Sequence, residues 1–312
     1  MKPGNSKKRV LIIGGSGTIG KSFIRLYYDE NISFYNFSRN ENSQTELHKE
    51  FPKIPYQILG NVEDRVSVYN AFEKVKPDIV IHAAAVKHID LAERQPIHTC
   101  RVNLVGSLNI IDAAIRSNTS TVIAISTDKA CSSASVYGDT KSLMEKCFLD
   151  ANTNKNRFSV CRFANVAHSN GSVLPFWLKL NSEGKPLKLT DPNMNRLMFT
   201  QNDAAKLINR TIKYTEANGG GFIASYKMKC VNMLDLAKVI SDEVEIMGKR
   251  PGEKTNEDLI AEHELPYTYV RGNDIHIRSE VNEGTNRLEV PYNSKSAEKM
   301  SSYEMDEMIR WT

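Results

Sequence analysis

The sequence predicts an α/β fold: a doubly wound parallel sheet with a smaller lobe interleaved toward its C-terminal side. Three observations carry this. Short apolar runs without polar alternation recur through the first half, as strands buried on both faces require. Stretches with helical spacing separate them. A glycine-rich turn follows the first run. Residues 10–13 form the first expected strand, bounded by Gly14 and Gly15. Residues 21–29 follow with helical spacing of Phe23, Ile24, Tyr27 and Tyr28. Further strands are expected at 33–38, 56–59, 78–82, 121–126 and 158–163, with a long helix at 96–117. Strand–helix–strand repetition of this kind gives a Rossmann-like core.

After residue 163 the rhythm breaks. Residues 165–195 are rich in Asn, Ser, Gly and Pro and read as loop. Helices are expected at 201–217 and 233–247 and a short strand at 221–224. The tail beyond 254 shows no clear period. The expected division is therefore a nucleotide-binding domain at 1–165 plus about 197–226. A substrate-binding lobe takes 166–196 and 227–312. No internal repeat is visible.

Composition narrows the function classes. A formal net charge of +4 over 312 residues is too mild for a nucleic-acid surface. The five cysteines are scattered and lack Cys-x-x-Cys spacing, which argues against structural zinc and a disulfide framework and for a reducing compartment. The apolar run at 10–13 is too short for a signal core or a membrane span. A cytoplasmic protein with no membrane, nucleic-acid or metal partner is expected.

Between the first strand and helix lie Gly14, Ser16, Gly17, Thr18, Ile19 and Gly20. Glycines here permit a tight turn and close approach to a pyrophosphate resting on the helix N-terminus. The end of the second strand discriminates between dinucleotides. An acid there suits a ribose hydroxyl, whereas Ser38, Arg39 and Asn40 offer a hydroxyl, a cation and an amide to a 2′-phosphate. NADP is the expected cofactor. Asn61 and Val62 fall where the adenine would lie. Ala83, Ala84 and Ala85 supply small residues where a dinucleotide passes the sheet.

Ligands of open α/β sheets bind outside the carboxyl ends of the strands. Thr127, Asp128 and Lys129 end the fifth strand and are candidates for chemistry. Tyr137 follows, with Lys141 at i+4, one face of a helix. A tyrosine titrates near 10, so it needs a nearby cation to serve as a base at neutral pH. Lys141 and a positive nicotinamide ring are expected to lower it. Burial and the same cations are expected to lower Lys129.

The segments at 82–87, 103–106, 126–130, 137–141, 162–165, 171–175, 190–191 and 250–254 together resemble the extended short-chain dehydrogenase/reductase superfamily. Within it the chain is most similar to the UDP-N-acetylglucosamine 4,6-dehydratases of the polysaccharide biosynthesis family that invert C5. Retaining relatives generally carry Thr-Asp-Glu where Thr127, Asp128 and Lys129 stand. The resemblance implies a redox-neutral cycle. Tyr137 helps oxidise C4, Lys129 removes the C5 proton, and Asp128 protonates the departing C6 hydroxyl. It also implies that Asn103 and Lys87 reach the cofactor. Lys87, Asn165, Ser172, Val173, Thr190, Met194, Arg196, Arg250 and Glu253 are implied to hold a UDP-sugar. A homo-oligomer, dimer or larger, is implied as well. Ala164 and His168 stand where relatives usually have glycine, and Asn170 stands near a usual arginine. A UDP-sugar 4-epimerase, a C5-retaining dehydratase and a catalytically silent NADP-binding scaffold are the competing readings.

Overall fold

Lys8–Ile13 forms β1, whose last four side chains are fully buried. The computed structural model describes residues 7–28, 31–54, 56–250 and 252–310. Residues 1–6, the expected helix end at Asp29, and Pro251 of the 250–254 segment lie outside the described residues. Helix α1 (Thr18–Tyr27) follows the glycine turn and buries Phe23 and Ile24 against the sheet. Next come β2 (Ile32–Ser38), α2 (Glu41–Glu50), β3 (Tyr56–Leu59), α3 (Arg65–Val75) and β4 (Ile79–His82). Two short helices, α4 (Ile89–Arg94) and α5 (Pro96–Cys100), lead through a π turn at Arg101–Val105 into α6 (Gly106–Arg116). The expected long helix at 96–117 is thus continuous but underwound at one turn. A π turn of this kind inserts one residue and re-aims side chains, and it often lies near a functional site.

Strand β5 (Thr121–Thr127), a short 3₁₀ turn at Asp128–Ala130, α7 (Val136–Asp150) and β6 (Arg157–Phe163) complete the first half. The second half holds β7 (Asn165–Val166), α8 (Val173–Ser182), β8 (Leu187–Leu189), β9 (Asn195–Phe199) and α9 (Gln201–Asn218). It continues with β10 (Phe222–Tyr226), β11 (Lys229–Asn232), α10 (Met233–Ile240), β12 (Val244–Ile246), β13 (Asp258–Ile260), β14 (Thr268–Arg271), β15 (Asp274–Arg278), β16 (Tyr292–Asn293) and α11 (Ser302–Arg310).

The main sheet runs β14-β15-β10-β6-β5-β4-β1-β2-β3. From β10 to β3 every pairing is parallel, while β15 and β14 join antiparallel. Strand order reverses between β1 and β4, which opens a crevice at their carboxyl ends. One apolar layer covers each face of the sheet. A third, around Trp177, Leu187, Leu197's neighbour Met198 and Leu236, holds the smaller lobe together.

Three expectations change. Residues 173–182, expected as loop, form α8, because Leu174, Trp177 and Leu180 recur on one buried face. The helix expected at 233–247 stops at Ile240: Ser241 is extended, and Val244–Ile246 pairs with β8 instead. Residues 268–278, assigned above to the lobe, lengthen the main sheet beyond β10. Local pattern could not reveal this, because antiparallel edge pairing depends on where β10 sits in space. Among the described residues, no helix is long and apolar enough to cross a membrane, and no cluster of metal-ligating side chains occurs.

Candidate active site

A cavity of about 1030 Å³ lies along the carboxyl ends of the parallel strands and extends into the smaller lobe. This exceeds the usual span for one small-molecule ligand, so it has room for a dinucleotide beside a second group. The glycine turn forms one wall. Gly14 has φ +85°, and a Cβ there would meet the Ala84 backbone at 2.9 Å. A Cβ on Gly20 would lie 2.4 Å from Gly15, so α1 can approach β1 only with glycine at 20. Gly17 caps α1 with no side-chain bond, and the first turn carries no acid. The N–H groups there are therefore available to an anion.

Gly14, Ser16, Gly17, Thr18, Ile19 and Gly20 all line this wall, with Ser38, Arg39 and Asn40 beside them. Ser16 donates to Ser38 at 3.1 Å, and Asn40 caps α2 through Ser43 N–H at 2.8 Å. Arg39 is exposed. No acid stands at the end of β2. Asn61, Val62, Ala83, Ala84 and Ala85 line the same half.

The reactive half is built on β5 and α7. Asp128 is 1% exposed. Its Oδ1 accepts from Thr127 Oγ1, Lys129 N and Lys129 Nζ, each at 2.9 Å. Its Oδ2 is buried with no partner among the described residues, and so is the Ser126 hydroxyl. Such orphaned groups are costly and mark places where a ligand completes the bonding. Thr127, Lys129, Tyr137 and Lys141 line the cavity, while Asp128 lies just beneath its wall.

Two electrostatic expectations are corrected. Burial favours a lowered Lys129, but the Asp128 and Glu257 carboxylates outweigh it and hold the ammonium above its ordinary range. Burial also dominates at Tyr137 and raises it, against the lowering influence of the Lys129 ammonium and the Thr127 hydroxyl. The cation acting on Tyr137 is thus Lys129. Lys141 is tied to the Ile125 carbonyl and contacts Met144 Sδ at 3.2 Å. Burial pushes Lys141 down to about 8, with Glu145 opposing.

Asn103 does not reach the cavity. It is fully buried, pairs with both backbone groups of Val86 at 2.8 and 3.0 Å, and donates to Thr140 at 3.1 Å. It therefore fixes the 83–88 loop against α7 from behind. Lys87 lines the cavity and donates to the Asn170 carbonyl; burial lowers its pKa. Asn170 N–H reaches Thr18 Oγ1 at 3.0 Å. The 168–172 loop thereby straps the glycine-turn side to the lobe side.

Asn165, Ser172, Val173, Thr190, Met194 and Arg196 line the lobe half, with Arg250 and Glu253 at its edge. Asn165 donates to Leu197 O at 3.1 Å. The Ser172 hydroxyl is buried and unbonded among the described residues. Arg196 is largely committed: it donates to the carbonyls of Asn195, Thr255 and Lys254. Arg250 approaches Asp90 at 3.8 Å, and Glu253 accepts from Arg250 N–H at 3.0 Å.

Two residues at the site were not singled out from sequence. His88 lines the cavity, with its ring against Gly171; adjacency to Lys87 was the available signal. Glu257 is buried beside the Asp128–Lys129 turn; it ends the 254–257 segment, where relatives usually carry Lys-Leu-His-Glu, and that matching glutamate was the available signal.

A profile described as polysaccharide biosynthesis protein matches residues 10–278. A Campylobacter jejuni UDP-N-acetylglucosamine 4,6-dehydratase (inverting) is 37% identical, over 85% of this chain and 80% of its own. A UDP-glucose 4-epimerase of Rickettsia canadensis is 30% identical, over 83% and 79%. The crystal structure of Pen from Bacillus thuringiensis superposes with a TM-score of 0.90 at 30% identity, covering 97% of each chain. The chain therefore belongs to the polysaccharide biosynthesis protein family, within the nucleotide-sugar dehydratase and epimerase class of the short-chain dehydrogenase/reductase fold.

Proposed function

We propose that this protein is a UDP-N-acetylglucosamine 4,6-dehydratase that inverts C5. The product is UDP-2-acetamido-2,6-dideoxy-β-L-arabino-hex-4-ulose. NADP is the cofactor of this reading, held by the glycine turn with Ser38 and Arg39. When bound, it supplies a hydride acceptor for C4 and a hydride donor for C6.

The observation that carries the reading is the Asp128–Lys129 ion pair at the end of β5, with one carboxylate oxygen left unbonded. Elimination needs a neutral amine at C5 and a neutral acid at the C6 hydroxyl. Moving one proton from Lys129 to Asp128 supplies both, with no exchange with solvent. Lys129 then takes the C5 proton, which the C4 ketone has acidified. Asp128 gives its proton to the C6 hydroxyl, which leaves as water. These transfers restore the ammonium–carboxylate pair. C5 is then reprotonated from the opposite face by a proton from solvent, which balances the C4 hydroxyl proton that Tyr137 passes on. Tyr137 takes the C4 hydroxyl proton; its raised pKa calls for the Lys129 charge and the Thr127 hydroxyl to support the phenolate.

The test is incubation with UDP-N-acetylglucosamine in deuterated water, read by NMR. A 4-keto-6-deoxy product with deuterium at an inverted C5 is expected. Retained C5 configuration in the first product sinks the inverting assignment. A UDP-sugar 4-epimerase is the second reading, favoured by the epimerase name of one relative. Product mass separates the two, since only dehydration loses water.

A further inference from the structure

Glu257 stands outside every role assigned so far. It is 4% exposed, a level at which a carboxylate is uncommon without a partner. It directly precedes β13, which packs against the 128–130 turn. Its backbone is pinned on both sides: Glu257 N–H donates to Ser294 Oγ at 2.9 Å, and Ser294 N–H donates to Glu257 O at 3.0 Å. The preceding residues are fixed as well. Arg196 holds the Lys254 and Thr255 carbonyls, and the Lys254 ammonium reaches the Ser132 carbonyl across the site. A tail segment is thereby brought to the back of the reactive turn with little freedom.

We infer that Glu257 is a positioning residue for the Asp128–Lys129 pair: a second carboxylate that holds Lys129 and sets how the shared proton divides between Lys129 and Asp128. This rests on the proposed acid–base roles of that pair.

The charges facing Glu257 are Lys129, Asp128, Arg196 and Lys254; those facing Lys129 are Asp128, Glu257 and Arg196. Burial raises Glu257, and the Lys129 ammonium opposes that. A negative Glu257 acts on both partners. It favours the ammonium on Lys129 and disfavours the carboxylate on Asp128. The cluster therefore retains its proton as pH rises, and Asp128 is the more readily protonated when Lys129 gives that proton up. No covalent or redox step is assigned to Glu257.

The experiment is competitive labelling of the amines of the intact NADP-bound enzyme with acetic anhydride across pH, read by peptide mass spectrometry, on wild type and Glu257→Gln. The expected result is a downward shift of about one pH unit at Lys129 alone. The base limb of the kcat profile should move with it, while KM for UDP-N-acetylglucosamine stays within about twofold. Glu257→Asp, which keeps the charge on a shorter arm, should fall between the two. It also serves as the test if Glu257→Gln does not fold. An unchanged Lys129 titration in a folded variant overturns the inference. Labelling needs no substrate, so a shifted Lys129 without dehydration refutes the substrate reading and leaves this one standing. Dehydration with an unshifted Lys129 does the reverse.

Discussion

Two buried ion clusters are served by the same central elements, β5, β6 and α7, and they are built to opposite standards. In one, Arg162 of β6 bonds both oxygens of Glu145 at 3.0 and 2.7 Å and both oxygens of Glu264 at 2.9 and 2.8 Å, and it also donates to Leu259 O. Arg162 is 2% exposed, and its N–H groups make five bonds to the two carboxylates and the Leu259 carbonyl. In the other, Asp128 crowds its bonds onto Oδ1 and leaves Oδ2 bare, with the Ser126 hydroxyl also unpaired. A satisfied cluster fixes geometry: Arg162 locks α7 to the tail segment that carries Glu257 and Glu264. An unsatisfied cluster carries a local cost that substrate contacts can recover. The first cluster holds the second in place.

The largest effect separates the two by chemistry. Lys129→Ala should lower turnover about 10²–10⁴-fold, the usual worth of a positioned base. C5 deuterium incorporation should vanish while NADP binding persists, as read by NMR and cofactor titration. Normal exchange in this variant would remove Lys129 from the base role. The converse break is Arg162→Met, which strands two buried carboxylates. It should cost about 3–5 kcal/mol in urea unfolding, as removal of one partner of a buried ion pair does. Its pH dependence has a definite sign. Arg162 holds Glu264 below the ordinary carboxylate range, against burial. In wild type that contribution is complete above the ordinary value and is lost as pH falls through the folded one. The variant should lack this acid-side loss.

A smaller effect tests the border between the clusters. Lys141 is held down to about 8 by burial. Below that pH its charge is carried at a cost that the unfolded chain does not bear, and the cost fades as pH rises from about 8 to the ordinary lysine value. Lys141→Met should therefore gain about 1–3 kcal/mol at pH 7, lose that gain by pH 10, and turn over poorly. Chemical denaturation at the two pH values checks it. A loss of stability at pH 7 would place Lys141 with the satisfied cluster.

The site was legible where chemistry is local. Gly14 and Gly20 announce a turn that only glycine can make. Asp128 and Lys129 fall at one strand end, and Tyr137 and Lys141 share one helix face, so position marks each pair, while the resemblance joins the two pairs in one reaction. Nothing in the segment around Asn103 shows that its amide turns inward to Val86 and Thr140, away from the cavity. The direction of the Lys129 and Tyr137 shifts was also misjudged. At Lys129 burial is outweighed by Asp128 together with Glu257, which is 128 positions along the chain, and at Tyr137 burial decides.

The sequence by itself therefore determined the parallel core and the glycine turn, and it nominated the side chains of the proposed reaction. Those depend on runs of apolar residues and on contacts within a few positions, which hydrophobic period and backbone freedom dictate. Tertiary structure alone decided that β14 and β15 extend the sheet, that α8 closes the lobe, and that a tail carboxylate stands behind Lys129. Each of these is a long-range pairing whose energy comes from burial and charge at close approach, and neither quantity exists until the chain has folded.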